Sequence, residues 1–392
     1  MTGVVATLGF AAQASTLVGW NTDNVVVAPT PADGDTGASV VYDRDPMDPG
    51  ATTSGQIVFT PPEAVSPGIK VQQESYSSGV ALDGCIMTSN PGATCTSPFQ
   101  SGKRVKQQMT GSNPVDLVFD VAAGSETSIY QMFGRLINVT GQALSGFDIE
   151  LGFGTGADFV AATISDALRF STDFTASPSG AGSSGTQFPF GLFGNAATNS
   201  NFVIDGFFAD QRTGMDVIQT ETKLSSDAFF GPYSTMFGPW MTQSDVPTGL
   251  FWDFDDDDTT DALLMAWEYA PGLWELRREA IETCDISNPA FCSPASTLAS
   301  YVDGLTYAEV VALLGIDVSF LDVDGVEDLA NLNLNYAIEL GDLGAQTSFT
   351  LRTTVHEYQE PAPVPLPAGA PLLLAGLGAL GFVKRRRRAS KR

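Results

Sequence analysis

Strict alternation of apolar and polar residues in several separate runs is the feature that most limits how this chain can fold. Phe147, Ile149, Leu151 and Phe153 alternate with Asp148 and Glu150, so a strand here buries one face and wets the other. Val115, Leu117, Phe119 and Val121 repeat the pattern around Asp116 and Asp120. Leu332, Leu334, Tyr336, Ile338 and Leu340 do so between asparagines and Glu339, and Phe349, Leu351, Thr353 and Val355 form a last run. A period of two places successive side chains on opposite faces of a sheet, which a helix cannot do.

Short β-branched runs punctuated by Gly, Pro, Asn and Asp add candidate strands at Val25 to Val27, Ser39 to Tyr42, Gln56 to Phe59, and Ile129 to Val139. Helix signals are scarce. The clearest covers Tyr307 to Leu314, where Thr306 can cap, Glu309 completes a capping box, Leu305 and Val310 form a hydrophobic staple, and Gly315 suits the position after the end. Residues from about Gly154 to Pro247 read as loop-rich, with a Gly/Ser stretch and then Phe188 to Gly194, a Gly/Phe run that either pins a loop to a sheet or offers a binding surface. The expected fold class is all-β: a β-sandwich-like body with long loop insertions and few short helices.

Charge is unevenly distributed. The formal net charge is -26, yet seven of the 19 Lys and Arg lie in the final nine residues, leaving 12 bases against 45 acids elsewhere. Such a body repels a polyanion, which argues against nucleic-acid binding and is compatible with cations or polysaccharide as ligands.

The four cysteines form two close pairs, Cys85/Cys95 and Cys284/Cys292, and each encloses a Ser-Asn-Pro turn. Zinc is the rival reading, but the spacings are not those of a ligand knuckle and His356 is the only histidine. Two local disulfides and an oxidising compartment are expected.

The N-terminus has two readings. Val4 to Ala12 is a short apolar stretch followed by Ala12-Gln13-Ala14, which suits residues 1–14 as an N-terminally incomplete signal peptide for the Sec translocon, cleaved before Ser15. A basic start is missing, so Val4 to Val18 as a first buried strand is the alternative.

Residues 15–360 then form the exported body, and the rest has three parts. Residues 361–368 are a proline-spaced stem, 369–383 an apolar span, and 384–392 a basic tail. No charge occurs from Pro361 to Val383. A bilayer needs about 20 apolar residues, so the span is short but usable as one transmembrane helix with help from the stem. The basic tail stays cytoplasmic under the positive-inside rule, which puts the acidic body outside the inner membrane.

The stem contains Val364-Pro365-Leu366-Pro367-Ala368. With the span and tail behind it, this resembles the VPLPA-type PEP-CTERM sorting signals of Gram-negative bacteria. The resemblance implies an exosortase-type membrane peptidase as partner, cleavage near the motif, and passage from an inner-membrane-anchored precursor to the cell surface or exterior. A plain permanent anchor is the alternative. The body, through Gly19-Trp20-Asn21, Gly55 to Glu63, Pro98 to Arg104 and Leu329 to Tyr336, resembles the choice-of-anchor F surface proteins. That family implies an extracellular body and no particular activity.

Chemistry-bearing motifs are few. Asp253, Asp255, Asp257 and Asp261 occupy the first, third, fifth and ninth positions of an EF-hand-like loop, but Asp258 stands where the turn glycine belongs and Leu264 where the closing glutamate does. The run is either a looser calcium site or a solvated acidic loop, and no other cofactor is indicated. A histidine-based triad would have to use His356, and no Gly-x-Ser-x-Gly elbow occurs. A non-enzymatic surface protein is therefore the leading expectation. The alternative is a surface carbohydrate-active hydrolase using two carboxylates, which would sit roughly 5 to 9.5 Å apart in a cleft.

Overall fold

The computed structural model describes residues 13–62, 64–65, 68–72, 84–88, 104–171, 218–226, 240–252, 263–284, 292–315, 320–323 and 330–359. The chain divides into two units, Met1–Tyr358 and Gln359–Arg392, and of the second only Gln359 is described. Among the described residues the first unit is mostly β-strand, in three sheets.

The first sheet holds β1 (Thr16–Asn21), β8 (Val115–Ala122), β21 (Ser348–Glu357), β10 (Leu144–Phe153), β14 (Lys223–Ser226) and β13 (Ile218–Gln219) in that spatial order. The short β11 (Val160–Ala161) pairs with the end of β10. All its pairings are antiparallel. The apolar half of the alternation in β8, β10 and β21 has the expected consequence, since Leu117, Phe119, Phe147, Ile149, Leu151, Phe349 and Leu351 all enter the core, whereas Asp116, expected to face water, is buried.

The second sheet runs β12 (Leu168–Phe170), β20 (Asn331–Leu340), β9 (Ser128–Asn138), β7 (Val105–Met109), β4 (Thr53–Phe59), β3 (Gly37–Tyr42) and β2 (Val25–Val26). β20 and β9 pair without a slip from Asn331↔Ile137 to Leu340↔Ser128. The other edge of β9 is shared by two parallel neighbours: β6 (Gly84–Thr88) lies against its first half and β7 against its second. β5 (Ile69–Gln72) extends the sheet beyond β6.

These two sheets bury one common cluster, to which β8, β10 and β21 contribute from one side and β4, β7, β9 and β20 from the other. The arrangement is sandwich-like. Polar links cross it as well. The Leu17 amide donates to the Tyr130 hydroxyl at 3.1 Å, and the Asn24 side-chain amide donates to the Asp116 carbonyl at 3.0 Å. Tyr336 is fully enclosed, and burial pushes its hydroxyl pKa far above the ordinary value, so it stays protonated.

The third sheet, β18 (Cys292–Leu305), β17 (Leu273–Cys284), β16 (Leu263–Ala270), β15 (Gly249–Trp252) and β19 (Phe320–Val323), falls where no strand is expected from the sequence pattern. Pro271 and Gly272 close the β16–β17 hairpin, and Gly272 has φ +74°, a turn position that favours glycine. Phe251 and Trp267 reach the main core, whereas Leu250, Trp252, Ala266, Trp274 and Leu276 build a smaller one with the helix α1 (Tyr307–Leu314). Opposite the step from Leu250 to Phe251 the partner register jumps from Ala266 to Leu264, so Met265 is an extra residue in the ladder; it is fully buried in the smaller core.

The helix has the bounds its sequence signals indicate. Thr306 accepts from the Glu309 amide at 3.3 Å, the Glu309 carboxylate accepts from the Thr306 amide at 2.8 Å, and Val310 and Leu314 are buried.

Candidate functional site

Several of the residues singled out above lie outside the described residues: the sorting motif Val364, Pro365, Leu366, Pro367 and Ala368, the span 369–383, the basic tail, Cys95, and the calcium candidates Asp253, Asp255, Asp257 and Asp261. Among the described residues, no helix is long and apolar enough to cross a membrane, and no group of three or more His, Cys, Asp or Glu side chains is placed to hold a metal. Cys85 is completely buried on β6 and disulfide-bonded. Cys284 and Cys292 stand directly opposite each other at the ends of β17 and β18. At the N-terminal side, the described chain joins the fold from Gln13 on, ahead of the expected cleavage point: the Gln13 carbonyl accepts from the Ser125 amide at 2.7 Å, Ala14 bridges Glu126, and the Ser15 amide and hydroxyl donate to the Glu126 and Gly124 carbonyls, each at 3.0 Å.

A row of alternating charge crosses the first sheet. Asp116 on β8 is opposite Arg352 on β21, Arg352 is opposite Glu150 on β10, and Glu150 is opposite Lys223 on β14. Cross-strand neighbours of opposite sign attract, so the row favours this register.

Its two ends differ in exposure. Asp116 is 1 % exposed, and Arg352 grips it with two bonds of 2.7 Å from Nε and Nη2. The loop after β10 covers this pair: the Gly156 amide donates to Asp116 at 2.7 Å, its carbonyl accepts from Arg352 at 2.7 Å, and the guanidinium lies 3.8 Å from the Phe159 ring centre. Gly156 has φ +52° and its α-carbon faces the Asp43 carbonyl, which leaves no room for a β-carbon.

At the outer end, Lys223 donates to Asp148 at 2.9 Å and His356 shares that carboxylate at 3.1 Å. The only histidine therefore belongs to a charge network on the outer face of the sheet, with a carboxylate already engaged by a lysine.

Beside the covered end is a cleft of about 400 Å³, formed by three chain segments. Asn21, Asp23 and Asn24 come from the β1–β2 turn, Asp45 from the β3–β4 loop, and Gly154 and Thr155 from the loop after β10. Val118 and Ser348 complete the lining. Local hydrogen bonds fix the walls. Asn21 donates to Asp120 at 3.0 Å and accepts from the Asp23 amide at 2.9 Å, while one Asp45 oxygen accepts from the Met47 amide at 2.8 Å.

Next to Asp45, Arg44 donates to Asp43 at 2.9 Å. That bond, opposed in part by desolvation and reinforced by the Thr52 amide, holds the Asp43 carboxyl below its usual pKa. Nothing contiguous in the sequence marks this cleft. Its signals were Asn21-Thr22-Asp23-Asn24 and Asp43-Arg44-Asp45-Pro46, two polar turn runs far apart in the chain that only the folded sandwich brings together.

No family model, curated protein or solved structure matches this chain.

Proposed function

We propose that the chain is an exported, surface-sorted, non-enzymatic protein, processed at its C-terminus by an exosortase-type membrane peptidase and set in the cell envelope or extracellular matrix. The observation that carries this reading is the order of three segments: the Val364–Ala368 motif in a proline-spaced stem, the uncharged run ending at Val383, and the basic residues from Lys384. Each has a physical task. Prolines keep the stem extended, the apolar run holds the precursor in the inner membrane, and the tail stops transfer. The Sec translocon would deliver the acidic body, and the resemblance to choice-of-anchor F surface proteins adds support to that destination.

The cysteines support export independently. Cys85 is not free, and the Cys284↔Cys292 register suits a bridge, because directly opposed residues of antiparallel strands have α-carbons about 4.5 to 5.5 Å apart, within the range a disulfide spans. We assign the pairs as Cys85–Cys95 and Cys284–Cys292.

The test is a double substitution, Pro365→Ala with Pro367→Ala, in a bacterium that contains the peptidase. The variant is expected to accumulate uncut in the inner membrane while the unaltered chain is released to the surface. Equal release of both would contradict the reading.

A further inference from the structure

Ser15, the residue expected to begin the mature chain, lies deep in the fold. It is 0 % exposed, and its hydroxyl donates to the Gly124 carbonyl at 3.0 Å while accepting from the Gly124 amide at 3.1 Å. The two residues ahead of it are tied down as well. The Gln13 carbonyl accepts from the Ser125 amide at 2.7 Å and from the Glu126 amide at 3.3 Å, and Ala14 forms a parallel bridge with Glu126. Residues 13–15 therefore make a strap across 124–126, in the connection from β8 to β9, before β1 starts its antiparallel ladder with β8 at Thr16.

A glycine gives a second, independent sign. Gly124 does not have a positive φ, so its backbone conformation does not call for glycine. Space does. The atoms nearest to where a β-carbon would stand are the Gln13 oxygen and the Ala14 carbonyl carbon and oxygen, and they leave no room for one. The glycine is fitted to a strap that contains Gln13 and Ala14.

A cut between Ala14 and Ser15 would keep the glycine and discard what it accommodates. The Ser125 and Glu126 amides would lose their acceptor, and the Ser15 nitrogen, an amide that donates to the Glu126 carbonyl, would become an ammonium charged in most molecules at neutral pH. Tolerance of a truncation is decided by the burial and hydrogen bonding of the backbone it affects, and both oppose this one.

We infer that Gln13 and Ala14 belong to the mature body, so that a signal peptide is removed ahead of Gln13 and not at Ala12-Gln13-Ala14. The sequence offers a place for the cut: Gly9-Phe10-Ala11 has the small-x-small spacing of a signal-peptide cleavage site, and cleavage behind Ala11 leaves Ala12 first with the whole strap retained. The removal of a signal peptide rests on the export reading, whereas the fit of the strap does not.

Two measurements test the inference. Peptide mapping of the exported protein should find a chain that starts at Ala12 or ahead of it, and Ser15 as first residue overturns the inference. This terminus is read separately from the C-terminal cut, so an unprocessed precursor in the inner membrane serves equally well. The second measurement needs no export. Two purified chains, starting at Ala12 and at Ser15 and both ending at Arg392, are compared by thermal unfolding. The shorter should melt at a lower temperature, with failure to fold as the extreme of that loss. Gly124→Ala should lower the melting temperature of the longer chain more than that of the shorter, because only the longer has a strap to displace. Equal melting of the two chains, or an equal effect of Gly124→Ala in both, overturns the inference.

Discussion

The interlocked pair of sheets and the five-stranded sheet with its helix are held by different means. In the first, partners are far apart in sequence: β1 pairs with β8, β8 with β21, and β9 with β20, and a buried ion pair fastens a covering loop. In the second, β15 to β18 follow one another as successive hairpins, and α1 closes a small core from a segment directly after β18. Long-range pairing carries a larger loop-closure cost, which the large shared core offsets. The hairpin sheet meets a smaller cost with a smaller core, so it is expected to open locally before the sandwich does.

The sharpest way to break this contrast is at the clasp. Arg352→Met removes the partner of a carboxylate that is 1 % exposed and should cost about 3–5 kcal/mol in urea unfolding. A loss no larger than that of a surface pair would mean that the clasp is not what fastens the covering loop. Cavities come next. Phe119→Ala should cost about 3–5 kcal/mol and weaken protection across the sandwich, whereas Leu314→Ala should cost about 2–5 kcal/mol and raise amide exchange mainly in β16, β17 and α1. Equal loss of protection in both regions would dissolve the distinction.

A smaller effect is expected at the cap, where Thr306→Ala should cost about 1 kcal/mol. The Thr306 amide and hydroxyl hold the Glu309 carboxyl below its ordinary pKa. Its folded value is therefore the depressed one: the contribution is present above the unfolded pKa and lost as pH falls through the folded one. Exchange from α1 should accordingly rise on acidification below the usual carboxylate range, and in Glu309→Gln that rise should shrink. The smallest effect belongs to Lys223→Met, because the half-exposed Lys223–Asp148 pair is worth less than about 1 kcal/mol.

The same contrast marks how far the sequence could be read. Strands with an unbroken period of two were legible: β8, β10, β20 and β21 lie where alternation places them, and α1 follows its capping signals residue for residue. β17 was not. Arg277, Arg278, Glu279 and Ala280 are good helix formers that interrupt the alternation, and the strand is imposed by long pairing with β18 and by the turn at Pro271 and Gly272. The local signal for this hairpin is the Pro271-Gly272 turn alone. In the stretch expected to be loop-rich, β11 to β14 are short strands borrowed by neighbouring sheets, too brief to show a period.

The cleft was illegible for another reason. Asn24 and Asp45 are ordinary turn residues in sequence, and only the folded sandwich brings their loops together. The Val364–Ala368 motif, by contrast, is contiguous in the sequence.

The central claim, that this body is carried by a temporary C-terminal signal, is tested most directly by the intact mass of the surface-exposed protein from cells containing the peptidase. The account predicts a mass lacking residues 369–392 and consistent with two disulfides. A surface protein that retains Gly369 to Arg392 would contradict it.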